Sequence, residues 1–158
     1  HQWAAQRAPA LGIPITSLEA YAYAARVAEV ENPPNCHLAW TTLAGIGMVE
    51  SHHGTYRDAI IAPNGDVSPP IRGGVHLDGT NGNLEIIDDE QTLANDEPVY
   101  ARAMGPMQFI PPETWRLYGV DANNDGGNQP GQHRRRSAFG GGGTCASAAR
   151  TWPRRAAG

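Results

Sequence analysis

The sequence predicts one mainly α-helical domain interrupted by a long irregular region around residues 54–98. Three observations lead there. Two runs before residue 54 place apolar side chains at helical spacing. Residues 54–98 hold no sustained period and are dense in Gly, Pro, Asn and Asp, the composition of a functional loop system. A chain of 158 residues is the length of a single domain, able to bury roughly two-thirds of its unfolded surface.

The first predicted helix spans about residues 16–31. Ile13-Pro14 and Thr16-Ser17-Leu18-Glu19 supply a Ser/Thr start with an early acid, and Leu18, Tyr21, Ala25 and Ala28 share one face. Asn32-Pro33-Pro34-Asn35 stops it. A second helix is expected over about 39–51, with Trp40, Leu43, Ile46 or Gly47, and Glu50 on one inward stripe. Within the irregular region, Leu84-Glu85-Ile86-Ile87 suits a short extended piece. Pro112-Glu113-Thr114-Trp115-Arg116-Leu117-Tyr118 reads as a short helix with Pro near its start.

The formal charge of −4 argues against nucleic acid as the main partner. Residues 78–97 are acidic, whereas Arg134-Arg135-Arg136 and Arg154-Arg155 are basic. All 12 basic side chains are Arg, which points to a GC-rich coding sequence rather than to a function. No run of about 18 apolar residues is present, so no transmembrane segment is expected. The chain opens on His1-Gln2-Trp3 with no initiator Met and no signal-peptide pattern, so a fragment with an export signal upstream is expected. Cys36 and Cys145 allow one bridge in an oxidising compartment or two separate thiols.

Residues 131–158 depart from the rest, with an Arg triplet, four consecutive glycines and no apolar period. One codon choice for Gln132–Ser137 reads, one base later, Ser-Ile-Asp-Asp-Ala-Ala, a helix opening. A different offset over Gly143–Ser147 gives Tyr-Leu-Cys-Val. The expected organisation is therefore one folded domain over 1–130 and an anomalous tail over 131–158, either an out-of-frame reading of the domain's last helices or a disordered basic segment.

Several side chains carry chemistry. Glu50 ends an apolar helix pattern, and burial on such a face disfavours the anion and keeps a carboxyl protonated for general acid work. The plain alternative is a solvated helix-end Glu. Gln108 sits in a Gly/Pro-punctuated turn that its amide can cap, and Met107 and Phe109 beside it suit an apolar core. Ser51 caps or orients the helix end, since no Ser-His-Asp arrangement is suggested. Adjacent His52 and His53 point in different directions on a helix, which disfavours a shared metal ion. Asp121-x-Asn123-x-Asp125-Gly126 matches the first half of a calcium loop. Its closing positions hold His133, Arg134 and Arg135, so an Asx-rich turn competes with a calcium site.

Gly45-Ile46-Gly47-Met48-Val49-Glu50-Ser51-x-His53-Gly54 resembles the catalytic-Glu motif of membrane-bound lytic transglycosylases of the B type, in their actinobacterial branch. Ala103-Met104-Gly105-Pro106-Met107-Gln108-Phe109-Ile110-Pro111-x-x-Thr114-Trp115 resembles the second motif of that branch. Between them, Ser68-Pro69-Pro70-Ile71 and Leu77-Asp78-Gly79-x-Asn81-Gly82 are similar to its characteristic loop. The likeness covers about residues 9–130. It implies a mainly α, lysozyme-like fold of the goose type, secreted or held in the cell envelope as a monomer and acting on peptidoglycan glycan strands. It implies Glu50 as the catalytic acid and then base, with Ser51, Tyr100, Met107, Gln108 and Phe109 along the substrate cleft. No cofactor is required, and calcium at Asp121, Asn123 and Asp125 would be structural. His53 matches a family position with a structural role, and Cys36 resembles a family cysteine whose partner lies in a helix that falls in the anomalous tail. Pro112-Glu113 replaces the usual Pro-Ser, and Val99 and Ala101 stand where relatives carry polar side chains. The nearest alternatives are a hydrolytic muramidase with the same Glu and an inactive glycan-binding domain.

Overall fold

The computed structural model describes residues 1–31, 37–92 and 97–110. Three helices, α1 (Gln2–Leu11), α2 (Ile15–Glu31) and α3 (Trp40–Ser51), are followed by two small antiparallel sheets. The first pairs β1 (Ile60–Ile61) with β2 (Val67–Ser68), and the second pairs β3 (Ile87–Thr92) with β4 (Pro98–Tyr100). The described part is thus mixed α/β, with the first sheet inside the region expected to be irregular and the second reaching from it to Tyr100. The short helix expected after Pro111, the candidate calcium loop, both cysteines and the tail lie outside the described residues.

The core sits where α2 packs between α1 and α3. Leu18, Tyr21 and Ala28 of the predicted face are buried and Ala25 is half-buried against the core, while Ser17, Ala20 and Ala24 widen the face. Alanines on this face let the neighbouring helices approach closely. From α3, Leu43 and Ala44 join the same cluster, with Trp40 and Ile46 packed at its edge. Trp3 meets Trp40 edge to face, with ring centroids 5.4 Å apart, and ties α1 to α3.

Helix α1 had no counterpart in the sequence reading. Its buried positions are Ala4 and Ala8, which give almost no apolar contrast, and Pro9 lies inside it. High alanine propensity and the burial of one narrow stripe against α2 override that proline in the last turn. Helix α2 begins at Ile15, one residue before the expected start. Ser17 lies inside the first turn and sends its hydroxyl elsewhere instead of capping the helix.

Beyond α3 the packing changes character. A second, smaller apolar cluster holds Ala59, Val67 and Ile71, and Ile61 touches both clusters. Backbone hydrogen bonds do most of the joining: Ile86 N–H donates to Leu77 O (2.9 Å), Ala101 N–H to Ile86 O (2.8 Å) and Leu77 N–H to Ala101 O (2.8 Å). Glu85 forms an isolated bridge to Asp78, and Ile87 opens β3, so the Leu84–Ile87 segment is extended as expected. Asp78 accepts from the Thr80 hydroxyl (2.6 Å) and Thr80 N–H (3.0 Å), bonds that hold its carboxyl below the usual carboxylate range.

Candidate active site

Two segments make the site, the end of α3 and the turn over residues 104–109. Helix α3 carries a wide apolar face, and Glu50 lies one turn beyond buried Gly47 on that stripe, half-buried. Val49 beside it is 82% exposed and contributes nothing to its shelter. Burial pushes the Glu50 carboxyl above its ordinary value. Its place in the last turn acts in the same direction, because the C-terminal end of a helix carries negative partial charge that disfavours an anion.

The chain leaves α3 through three successive left-handed residues, His52 (φ 52°), His53 (φ 60°) and Gly54 (φ 89°). For the two histidines this conformation costs on the order of 1–3 kcal/mol each, so surrounding bonds must hold it. They do. His53 N–H donates to Gly47 O at 2.8 Å, and Ser17 Oγ donates to His53 O at 2.8 Å. The Tyr21 hydroxyl and His53 Nδ1 share a hydrogen bond of 3.2 Å. At Gly54 a Cβ would stand 2.7 Å from Ile61 Cδ1 and 3.2 Å from Pro106 Cγ, so the Ile61 side chain would have to shift. The histidines are therefore not consecutive helical residues as the spacing argument assumed. His53 is buried and kept neutral, its pKa lowered by burial and then by neighbouring His52, whereas His52 is exposed.

The second segment folds back on itself. Met104 N–H donates to Phe109 O (2.8 Å), closing a turn in which Gln108 is left-handed at φ 50°. Gln108 Nε2 donates to Gly105 O at 2.8 Å, so the amide does cap its own turn. Because that carbonyl only accepts, the side-chain nitrogen must face it, which leaves Oε1 as the free acceptor of the amide among the described residues. A strip over 71–73 supports the turn, through Gly105 N–H to Ile71 O (2.9 Å) and Gly73 N–H to Ala103 O (2.7 Å).

Ser51 joins the two segments. Its hydroxyl donates to Pro106 O at 2.6 Å and accepts from Gly54 N–H at 2.7 Å. The residue after Glu50 is thereby fixed to a residue two before Gln108. Ser51 is only 1% exposed and Met107 lies in the main apolar cluster, so both sit behind the surface and shape the site from beneath. Phe109 is partly buried against that cluster. Tyr100 is half-buried in β4, opposite Ile87, with buried Ala101 next to it.

Ser17 and Tyr21 were missed as part of this site. The available signal was a hydroxyl on each of two positions of an otherwise apolar, alanine-rich face. Among the described residues no three His, Cys, Asp or Glu side chains converge as metal ligands would. Nor is any described helix long and apolar enough to cross a membrane. Compared with known proteins, the chain matches no family model, no curated sequence and no solved structure.

Proposed function

We propose that the chain is a lytic transglycosylase with a lysozyme-like fold, acting outside the cytoplasm on the glycan strands of peptidoglycan. The observation that carries this reading is the Ser51–Pro106 hydrogen bond, which brings the two motifs resembling that family together beside a carboxyl raised by burial.

In this reaction Glu50 gives its proton to the oxygen between N-acetylmuramic acid and N-acetylglucosamine, and the bond from that oxygen to C1 breaks. The 2-acetamido carbonyl stabilises the positive charge that develops at C1. Glu50, now a carboxylate, takes the proton from the C6 hydroxyl of the same muramic residue as O6 bonds to C1. The result is a 1,6-anhydro ring, an acid restored to its starting state, and no water consumed. A single carboxylate does the work that two share in most glycosidases. Gln108 Oε1 suits a role as acceptor for the acetamido N–H or for protonated Glu50.

The test is digestion of purified peptidoglycan with products read by mass spectrometry, beside Glu50→Gln. Products ending in 1,6-anhydro-N-acetylmuramic acid, reduced roughly 10²–10⁴-fold or more in the variant, are expected. Reducing ends about 18 Da heavier, from attack by water, would make the protein a muramidase instead. A folded chain that binds glycan and releases nothing would identify a glycan-binding domain.

A further inference from the structure

We infer that Tyr21, with Ser17 and His53, forms a positioning device that fixes the last turn of α3 and with it the Glu50 carboxyl. The inference rests on the proposed role of Glu50 for its meaning in catalysis, but its geometry stands apart from that role.

Tyr21 grips α3 on both sides of Glu50. Three residues before the carboxyl, Gly47 leaves the space that the Tyr21 ring fills: a Cβ there would overlap the hydroxyl and stand 2.7 Å from Cζ. Three residues after it, the same hydroxyl reaches His53 Nδ1 at 3.2 Å. Glycine inside a helix is unfavourable, so Gly47 is explained by this approach rather than by helix formation. Tyr21 is also among the most deeply buried side chains of the described residues, on a face that carries Leu18, Ala20, Ala24 and Ala28 beside Ser17. Phenylalanine would meet the packing need there, whereas a buried phenol adds a hydroxyl that requires a polar partner.

Ser17, one turn earlier on α2, holds the His53 carbonyl. The left-handed exit of α3 is therefore held at both its main chain and its side chain by a single helix. The titratable groups of the described residues at this junction are Tyr21, His52 and His53. Burial raises the first and keeps the last neutral, so no full charge sits beneath the carboxyl at neutral pH. Loosening the grip frees the last turn and admits water to Glu50.

The experiment compares the full chain with Tyr21→Phe and Ser17→Ala in two readouts. One is the titration of the Glu50 carboxyl by carbon NMR, assigned by its loss in Glu50→Gln. The other is kcat and KM on soluble peptidoglycan fragments per folded molecule. In Tyr21→Phe the Glu50 midpoint is expected to move down toward the ordinary carboxylate range. Over the same change kcat falls about tenfold at unchanged KM, the sensitivity expected of a displaced catalytic group. Ser17→Ala acts on the same hook and shifts both in the same direction, which keeps the test intact if Tyr21→Phe folds poorly. Lower thermal stability with an unmoved Glu50 midpoint in both variants would overturn the inference and make Tyr21 a packing residue. Should the parent chain release no products, the proposed function fails while the NMR midpoints still decide this one.

Discussion

The helical layer of residues 1–51 and the region from 54 to 110 are held together by different forces. The first buries a cluster that includes Leu18, Tyr21 and Leu43, with alanines where helices meet, and Met107 of the second region reaches into it. The second buries a cluster of only Ala59, Val67 and Ile71, and relies on backbone hydrogen bonds between short strips. Loss of one apolar contact in the first is paid by the whole fold. Loss of one bond in the second changes where a turn sits, because few neighbours share the load. The candidate site lies on the seam: Glu50 comes from the first region and Gln108 from the second.

Substitutions that separate the two regions sharpen this contrast. The largest effect is expected from Leu18→Ala, which empties a fully buried position and should cost about 2–5 kcal/mol in denaturant unfolding. Ile71→Ala should fall at the low end of that range, about 2 kcal/mol, since a small cluster near the surface relaxes more easily. Equal costs at the two positions would break the contrast. Ser51→Ala leaves the buried Pro106 carbonyl without its donor and should cost about 1–3 kcal/mol, with a fall in glycan cleavage greater than the fraction unfolded explains.

The pH dependence carries two opposite signs. Glu50 is raised in the fold, so its contribution to stability is complete below its unfolded pKa and is lost as pH climbs through its folded value. Under the proposed function, cleavage needs the protonated acid and should decline over the same rise. His53 is lowered, so its contribution is present above about pH 6.5 and is lost as pH falls through its folded value. His53→Gln should flatten that acid limb in thermal melts at graded pH. The smallest effect belongs to Arg26→Ala: its 2.7 Å ion pair with Glu29 is exposed on α2, and no more than about 0.5 kcal/mol should be lost.

The same contrast explains what was legible in the sequence. Helices α2 and α3 were readable to within a residue because Leu18, Tyr21 and Leu43 repeat at a helical period. Helix α1 was not, because alanine at its buried positions is as common outside as inside. The seam was half legible. Glu50 and Gln108 stand in recognisable motifs, but the bond that unites them runs through Ser51 and Pro106, a side chain and a carbonyl separated by 55 positions. No local pattern encodes such a pairing. The left-handed exit at His52 and His53 was hidden for a similar reason. Neither residue type demands that conformation, which is imposed by Ser17 and Tyr21 from another helix. Gln108 shows a third case, in which capping its own turn and presenting an oxygen are compatible once the amide is oriented.

The long span of the Ser51–Pro106 bond has a consequence for how the protein comes to life. Local helices form early, while contacts between distant positions wait for loop closure. A chain in which α1–α3 have assembled before the later region docks carries Ser51 without its Pro106 partner, so the end of α3 and the turn over 104–109 are not yet joined. The final closing step thus completes the seam that carries Glu50 and Gln108.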